Sequence, residues 1–158
     1  MNILSVDPGY GRVGFAILKQ EDGKEVVVFS ECFETSKEDN IYTRIKQVGE
    51  RMDNLINEYN PSVVVVEDLF FSKNTKTAMR VAEIRGVLLF SGLKKGLKVV
   101  EFKPNQIKVA VAGNGQANKN DVKFALQKFF NINIENKIDD EIDAIAVGLT
   151  YFAFKNNL

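Results

Sequence analysis

Ser62-Val63-Val64-Val65-Val66-Glu67 is the stretch that decides the fold. Four consecutive β-branched residues favour a strand, and with no polar position among them both faces of that strand must be covered. A strand of this kind belongs in the middle of a parallel sheet, between two layers of helices. Working outward, the residues Ile45, Val48, Met52, Leu55 and Ile56 recur at spacings of three and four, which predicts a helix over Ile41 to Tyr59, ended by Pro61. On the other side, Thr75–Leu93 reads as a second long helix and Lys98–Phe102 as another strand.

Towards the N-terminus, Asn2–Val6 is a short apolar run leading into the turn Asp7-Pro8-Gly9. Val13–Leu18 and Lys24–Phe33 follow as two more strands, and their short connections predict an antiparallel meander. Towards the C-terminus, Pro104 opens a helix at its first position, Asn114-Gly115 marks a turn, and Asn118–Phe130 and Asp139–Phe154 read as helices. The expected architecture is α/β: a mixed five-stranded sheet, three antiparallel strands then parallel ones, with helices on both faces. That order is of the ribonuclease-H-like kind, expected as a single domain over residues 1–158.

Composition narrows the chemistry. With 158 residues, 45% hydrophobic and 27% charged, the chain can bury a core without staples. It contains no histidine, which removes Ser-His-Asp and Cys-His nucleophile systems and His-containing zinc sites. One cysteine, Cys32, cannot form an internal disulfide and suits a reducing compartment. The first residues lack the basic and apolar regions of a signal peptide, and no apolar run approaches the roughly 20 residues of a spanning helix. A cytoplasmic protein with no membrane partner is expected.

Lys+Arg and Asp+Glu are equal at 21 each, so the net charge is zero. The average conceals a pattern: residues 1–71 carry −6, residues 72–132 carry +9 and residues 133–158 carry −3. A basic middle between acidic ends is what a polyanion-binding face beside a carboxylate cluster would leave, although a lysine-rich solvated face would leave it as well.

The carboxylates are the candidate chemistry. Asp7 and Glu67 close two different strands, and in open α/β sheets sites form at the carboxyl ends of strands. The last helix opens Asp139-Asp140-Glu141-Ile142-Asp143, where Asp140 and Asp143 stand at i and i+3 and share a face. Ile138, Ile142, Ile145, Ala146 and Leu149 are the expected buried stripe. Acids in a first helical turn are ordinary caps, so Asp139 is expected to cap while Asp140 and Asp143 face the site; an assignment shifted by one remains open. Four carboxylates without histidine fit two-metal hydrolysis of a phosphodiester, in which one ion activates water and the other stabilises the leaving oxygen.

The chain resembles the RuvC-type resolvases, which cut four-way (Holliday) DNA junctions, from about Asn2 to Phe154. The resemblance rests on four pieces in order: Val6-Asp7-Pro8-Gly9 with Gly14-Phe15; Val66-Glu67-Asp68-Leu69-Phe70 with Lys73-Asn74, Ala78 and Arg85-Gly86; Lys108 to Lys119; and Asp140 to Ala146. It implies a homodimeric endonuclease dependent on Mg²⁺, with Mn²⁺ able to substitute and two ions per site, that resolves junctions by paired symmetric nicks leaving 5′-phosphates, in recombination and repair. It implies metal ligation by Asp7, Glu67, Asp140 and Asp143, catalytic roles for those acids with Lys108 and Lys119, and DNA contacts from Phe70, Lys73, Arg80, Lys108 and Lys119. A branch-migration helicase complex is a further implied partner. Of Phe70 and Phe71, one is expected inside and one out. Gly11 and Arg12 depart from the family's usual order after the Asp-Pro-Gly turn. Ala82 replaces a common glycine near the implied dimer interface, and Glu141 replaces a common alanine, adding charge near the metals.

Two other readings compete. A ribonuclease-H-like nuclease of another substrate, such as precursor ribosomal RNA, would share the acids but not the Glu67-to-Gly86 segment or the lysine pattern. A nucleotide-binding fragment of the actin and sugar-kinase type would share an Asp-x-Gly turn, but such proteins close two domains over a nucleotide.

Overall fold

The computed structural model describes residues 1–68 and 75–157. Among the described residues there are five strands: β1 (Asn2–Asp7), β2 (Arg12–Glu21), β3 (Lys24–Glu34), β4 (Val63–Glu67) and β5 (Lys98–Phe102). Five α-helices accompany them: α1 (Ile41–Tyr59), α2 (Thr75–Lys94), α3 (Pro104–Ala112), α4 (Lys119–Lys128) and α5 (Asp139–Phe154). The sheet runs β3-β2-β1-β4-β5. β3–β2 and β2–β1 pair antiparallel, whereas β1–β4 and β4–β5 pair parallel. The all-valine strand is therefore second from one edge, with β1 and β5 as neighbours. This is the expected mixed sheet.

The valines divide between two cores by strand periodicity. Val63 and Val65 join Ile3, Ala16 and Leu18 beneath α5, together with residues of α3 and α4. Val64 and Val66 join Leu4, Val6, Phe15 and Ile17 on the opposite face, against Val48, Met52 and Leu55 of α1 and Ile84 and Leu88 of α2. All four valines are buried, which is why the run tolerates no polar residue.

Small residues set how closely α5 approaches the sheet. A Cβ on Gly148 would lie 2.4 Å from Leu18 and 2.7 Å from Ser5. Ser5, fully buried on β1, donates its hydroxyl to the Ala144 carbonyl at 2.7 Å. The closest approach is at Gly14: a Cβ there would fall 1.9 Å from the Asp140 carbonyl oxygen. Since Gly14 pairs with Asp7 across β1 and β2, the missing side chain lets the first turn of α5 settle directly beside Asp7.

Helix starts differ from expectation in two places. α4 begins at Lys119 because Asn118 is its N-cap, accepting from the amides of Asn120 and Asp121. α5 is capped by Ile138 in extended conformation, not by Asp139, which is the first helical residue. Ile138 lies outside the helical face for the same reason and is 45% exposed instead of joining the buried stripe; Ile142, Ile145, Ala146 and Leu149 are buried as expected. No helix among the described residues is long and apolar enough to cross a membrane.

Candidate active site

Register places the first two acids side by side. Val6 of β1 pairs with Val66 of β4, so the next residues along, Asp7 and Glu67, close the carboxyl ends of adjacent parallel strands. Alternation puts them on the face of Ile3, Val63 and Val65, the face covered by α5. There the helix brings Asp140 and Asp143, one turn apart on one side. The four acids predicted from separate parts of the sequence thus belong to one electrostatic cluster.

Their titration reflects the crowding. The Asp7 carboxyl is pushed from 3.8 to about 8, first by burial and then by the charges of Glu67, Asp143 and Asp140. Glu67 is raised by burial and by Asp143, while a hydrogen bond with Asp7 and the charges of Lys119 and Lys108 pull it back. Asp143 is raised by burial, against the opposing pull of Lys119. Burial and the neighbouring acids thus both favour the neutral form of the Asp7 carboxyl.

Cations stand opposite these acids. Lys119, at the start of α4, lies 3.3 Å from Asp143 and 3.6 Å from Asp139. Burial draws its ammonium down, but Asp143 and Asp139 together hold it above its ordinary value. Lys123, one turn on, pairs with Asp139 at 2.7 Å, which keeps the Asp139 carboxyl below its usual range. Arg12 Nε lies 3.2 Å from Asp140. Lys108 shares with Lys119, Glu67 and Asp143 the lining of a cavity of about 160 Å³, to which Ile107, Val122 and Val147 add an apolar wall. Lys108 and Lys119, the two lysines implied for catalysis, are thus brought to the acids.

Other expectations fall elsewhere. Arg80 sits half-exposed on α2 and pairs with Glu83 at 2.8 Å. Phe70, Phe71 and Lys73 lie outside the described residues. Glu141 does not add its charge to the acidic cluster: it is buried, accepting from Ser30 at 2.7 Å and Lys137 at 2.5 Å, one step around the helix from Asp140. A groove of about 810 Å³ between β3 and residues 129–133 contains none of the four acids.

Three supporting residues carry little sign of their role in the sequence. Arg44 is buried on α1, donates to the Tyr10 carbonyl and the Thr35 hydroxyl at 2.9 Å each, and stacks 4.0 Å over the Tyr10 ring. It ties down the turn that follows Asp7. Its one signal is a charged residue four positions before Val48, in line with the apolar stripe. Arg12 stands out only as a departure from a family pattern, and Gly14 only as part of a motif; neither pairing is visible without the fold.

The donor set is all carboxylate oxygen, suited to a hard divalent cation, and Asp7 is raised first by burial and then by its acidic neighbours, both of which a bound cation would offset. Among the described residues no three acids are pre-arranged as a metal cage, and Arg12 and Lys119 pair with Asp140 and Asp143. The residues fit a divalent ion once those pairs open.

Fold and site together define the ribonuclease-H-like class. The family model described as crossover junction endodeoxyribonuclease RuvC matches residues 3–151, and the chain belongs to that family. It is 40% identical to crossover junction endodeoxyribonuclease RuvC of Halothermothrix orenii, over 96% of this chain and 92% of the relative. It is 35% identical to that of Pseudothermotoga lettingae, over 99% and 96%. In structure it is similar to Thermus thermophilus RuvC solved in complex with Holliday junction substrate, at a TM-score of 0.92 and 24% identity, over 99% of this chain and 96% of that one.

Proposed function

We propose that this protein resolves four-way DNA junctions as a homodimer, each protomer nicking one of two opposed strands and leaving a 5′-phosphate. The observation that carries the reading is the convergence of Asp7, Glu67, Asp140 and Asp143 under two lysines, in a chain whose family is that of crossover junction endonucleases. We assign metal ligation to those four acids, with Mg²⁺ as the ion, Mn²⁺ able to replace it, and two ions per site. When bound, the ions supply an activated water and neutralise charge on the leaving oxygen.

The chain's own residues do the rest. Lys119 leaves Asp143 to hold a phosphate oxygen or the charge that develops on it, and Lys108 serves the same phosphate from α3. Gly14 and Ser5 fix α5 against the sheet, so the two helix acids cannot drift from the strand acids. Arg44 holds the Tyr10 turn, which limits movement of Asp7. We assign the protein to the cytoplasm, and the segment containing Phe70 and Lys73 to contacts near the junction centre.

The dimer reading is supported by α2. Met79, Ala82, Gly86, Phe90 and Leu93 recur at three and four and are exposed, while Ile84 and Leu88 face the core. An apolar stripe of this length on a solvent-facing helix fits a second protomer. The test is purified protein incubated with a mobile junction, matched duplex and precursor-like RNA, with and without Mg²⁺. Mg²⁺-dependent cutting confined to the junction supports the proposal; cleavage of RNA with the junction intact would sink it.

A further inference from the structure

Arg12 is the first residue of β2 and follows a tightly anchored turn. A Cβ on Gly9 would lie 2.1 Å from the Arg12 carbonyl oxygen. Thr35 donates its amide to the Gly11 carbonyl at 3.0 Å, and Arg44 binds the Tyr10 carbonyl at 2.9 Å. The backbone on both sides is therefore fixed. The Arg12 side chain nevertheless remains 49% exposed, with its Nε 3.2 Å from Asp140 Oδ2. Asp140 is thus occupied by a cation that is itself at the solvent edge of the acidic cluster.

We infer that Arg12 is a positioning residue that holds Asp140 in the metal-free protein and, once a divalent ion takes Asp140, turns its fork to a phosphate of the bound DNA beside the cut. The inference rests on the metal-nuclease reading above. A guanidinium suits both duties, since its planar donors match a carboxylate and a phosphate equally well. Solvent reaches the contact from the Arg12 side, 49% exposed against 22% for Asp140, and this screening leaves the pair weak enough for a divalent ion to displace. Because β2 anchors its Cα, the released side chain stays within reach of whatever phosphate faces Asp7 and Asp140. Arg12 thereby keeps Asp140 turned towards the cluster before the metal arrives and adds a DNA contact after it.

The test uses Arg12→Gln and Arg12→Lys in the full chain. Mn²⁺ binding without DNA, by titration calorimetry, should tighten about two- to fivefold in Arg12→Gln, the range an exposed ion pair can contribute. Junction binding is then measured against salt, on a junction with phosphorothioate linkages at the crossover. In Mg²⁺ the slope of log K against log salt should fall by about 0.9 in Arg12→Gln, one phosphate contact, and return in Arg12→Lys. In EDTA the slopes of wild type and Arg12→Gln should coincide, because Arg12 is then held by Asp140. Unchanged Mn²⁺ affinity overturns the holding role, and equal slopes in Mg²⁺ overturn the phosphate role. If the wild type binds no Mn²⁺, the metal-nuclease reading fails and this inference with it. Mn²⁺ binding by the wild type that is lost in Asp7→Asn places the ion at the acidic cluster, so that a negative result in the Arg12 variants then counts against Arg12 alone.

Discussion

Asp7→Asn should stabilise the metal-free protein at neutral pH while removing its activity, and the size of that effect follows from the site. The Asp7 carboxyl stands at about 8 when folded against 3.8 as its ordinary value. At pH 7 the unfolded chain carries it ionised and the folded chain carries it protonated, so folding takes up a proton. At about 1.4 kcal/mol per pH unit, that uptake costs on the order of 4 kcal/mol at pH 7. A raised folded value means that the contribution of this group is fully favourable below pH 3.8 and is lost progressively as pH rises to about 8. Asparagine removes the proton uptake and keeps a donor for Glu67. Glu67 and Asp143 readjust when Asp7 is neutral, so the net gain expected in EDTA at pH 7–8 is about 2–3 kcal/mol, shrinking towards pH 4. Urea unfolding at a series of pH values, with EDTA and then with Mg²⁺, measures it. Mg²⁺ at a hundred times its dissociation constant should stabilise the wild type by about 2.7 kcal/mol and the variant far less, narrowing or reversing the order. An Asp7→Asn protein less stable than wild type in EDTA, or a difference independent of pH, would refute the idea of a charge-frustrated metal site.

Three further outcomes are expected. Lys119→Ala should slow cutting by about 10²-fold or more, as loss of a group that holds developing charge does. It should also flatten the salt dependence of junction binding by about 0.9; an unchanged rate and slope would return Lys119 to the solvated surface. Gly14→Ala should destabilise by about 2–4 kcal/mol and impair cutting, because its Cβ would meet the Asp140 carbonyl at 1.9 Å; thermal melts matching wild type would contradict that packing. Phe90→Glu on α2 should shift sedimentation from dimer to monomer without unfolding the chain, and an unaltered dimer would remove α2 from the interface.

The fold was legible because its determinants are periodic. Val63–Val66 is buried on both faces, and that requirement alone calls for a central strand with helices above and below. The strand acids were legible because strand ends and turns are written locally, as Asp7-Pro8-Gly9 and Val66-Glu67 are. The helix acids were half legible. Spacing places Asp140 and Asp143 together, but whether Asp139 caps or pairs depends on Lys119 and Lys123 arriving from another helix. The same holds for Glu141, whose partners are Ser30 on β3 and Lys137 ahead of the helix. Arg12 and Gly14 act on Asp140 across more than a hundred residues of chain, through a contact set by the depth at which α5 sits. Local patterns report which face a residue takes, not how close a distant element comes to it. Zero net charge, by contrast, proved to be a sum over regions that the fold brings together: Lys108 and Lys119 of the basic segment line the same cavity as Glu67 and Asp143 of the acidic ones.

Whether the acidic cluster cuts junctions is tested most directly with a mobile four-way junction labelled on two opposed strands and incubated with wild-type protein and Asp7→Asn. The wild type should nick both strands at symmetric positions in Mg²⁺, yield products that ligase reseals, and do nothing in EDTA, while Asp7→Asn binds the junction without cutting it. Cutting that persists in Asp7→Asn, or in the wild type without any divalent ion, would contradict a metal-dependent site built on these four acids.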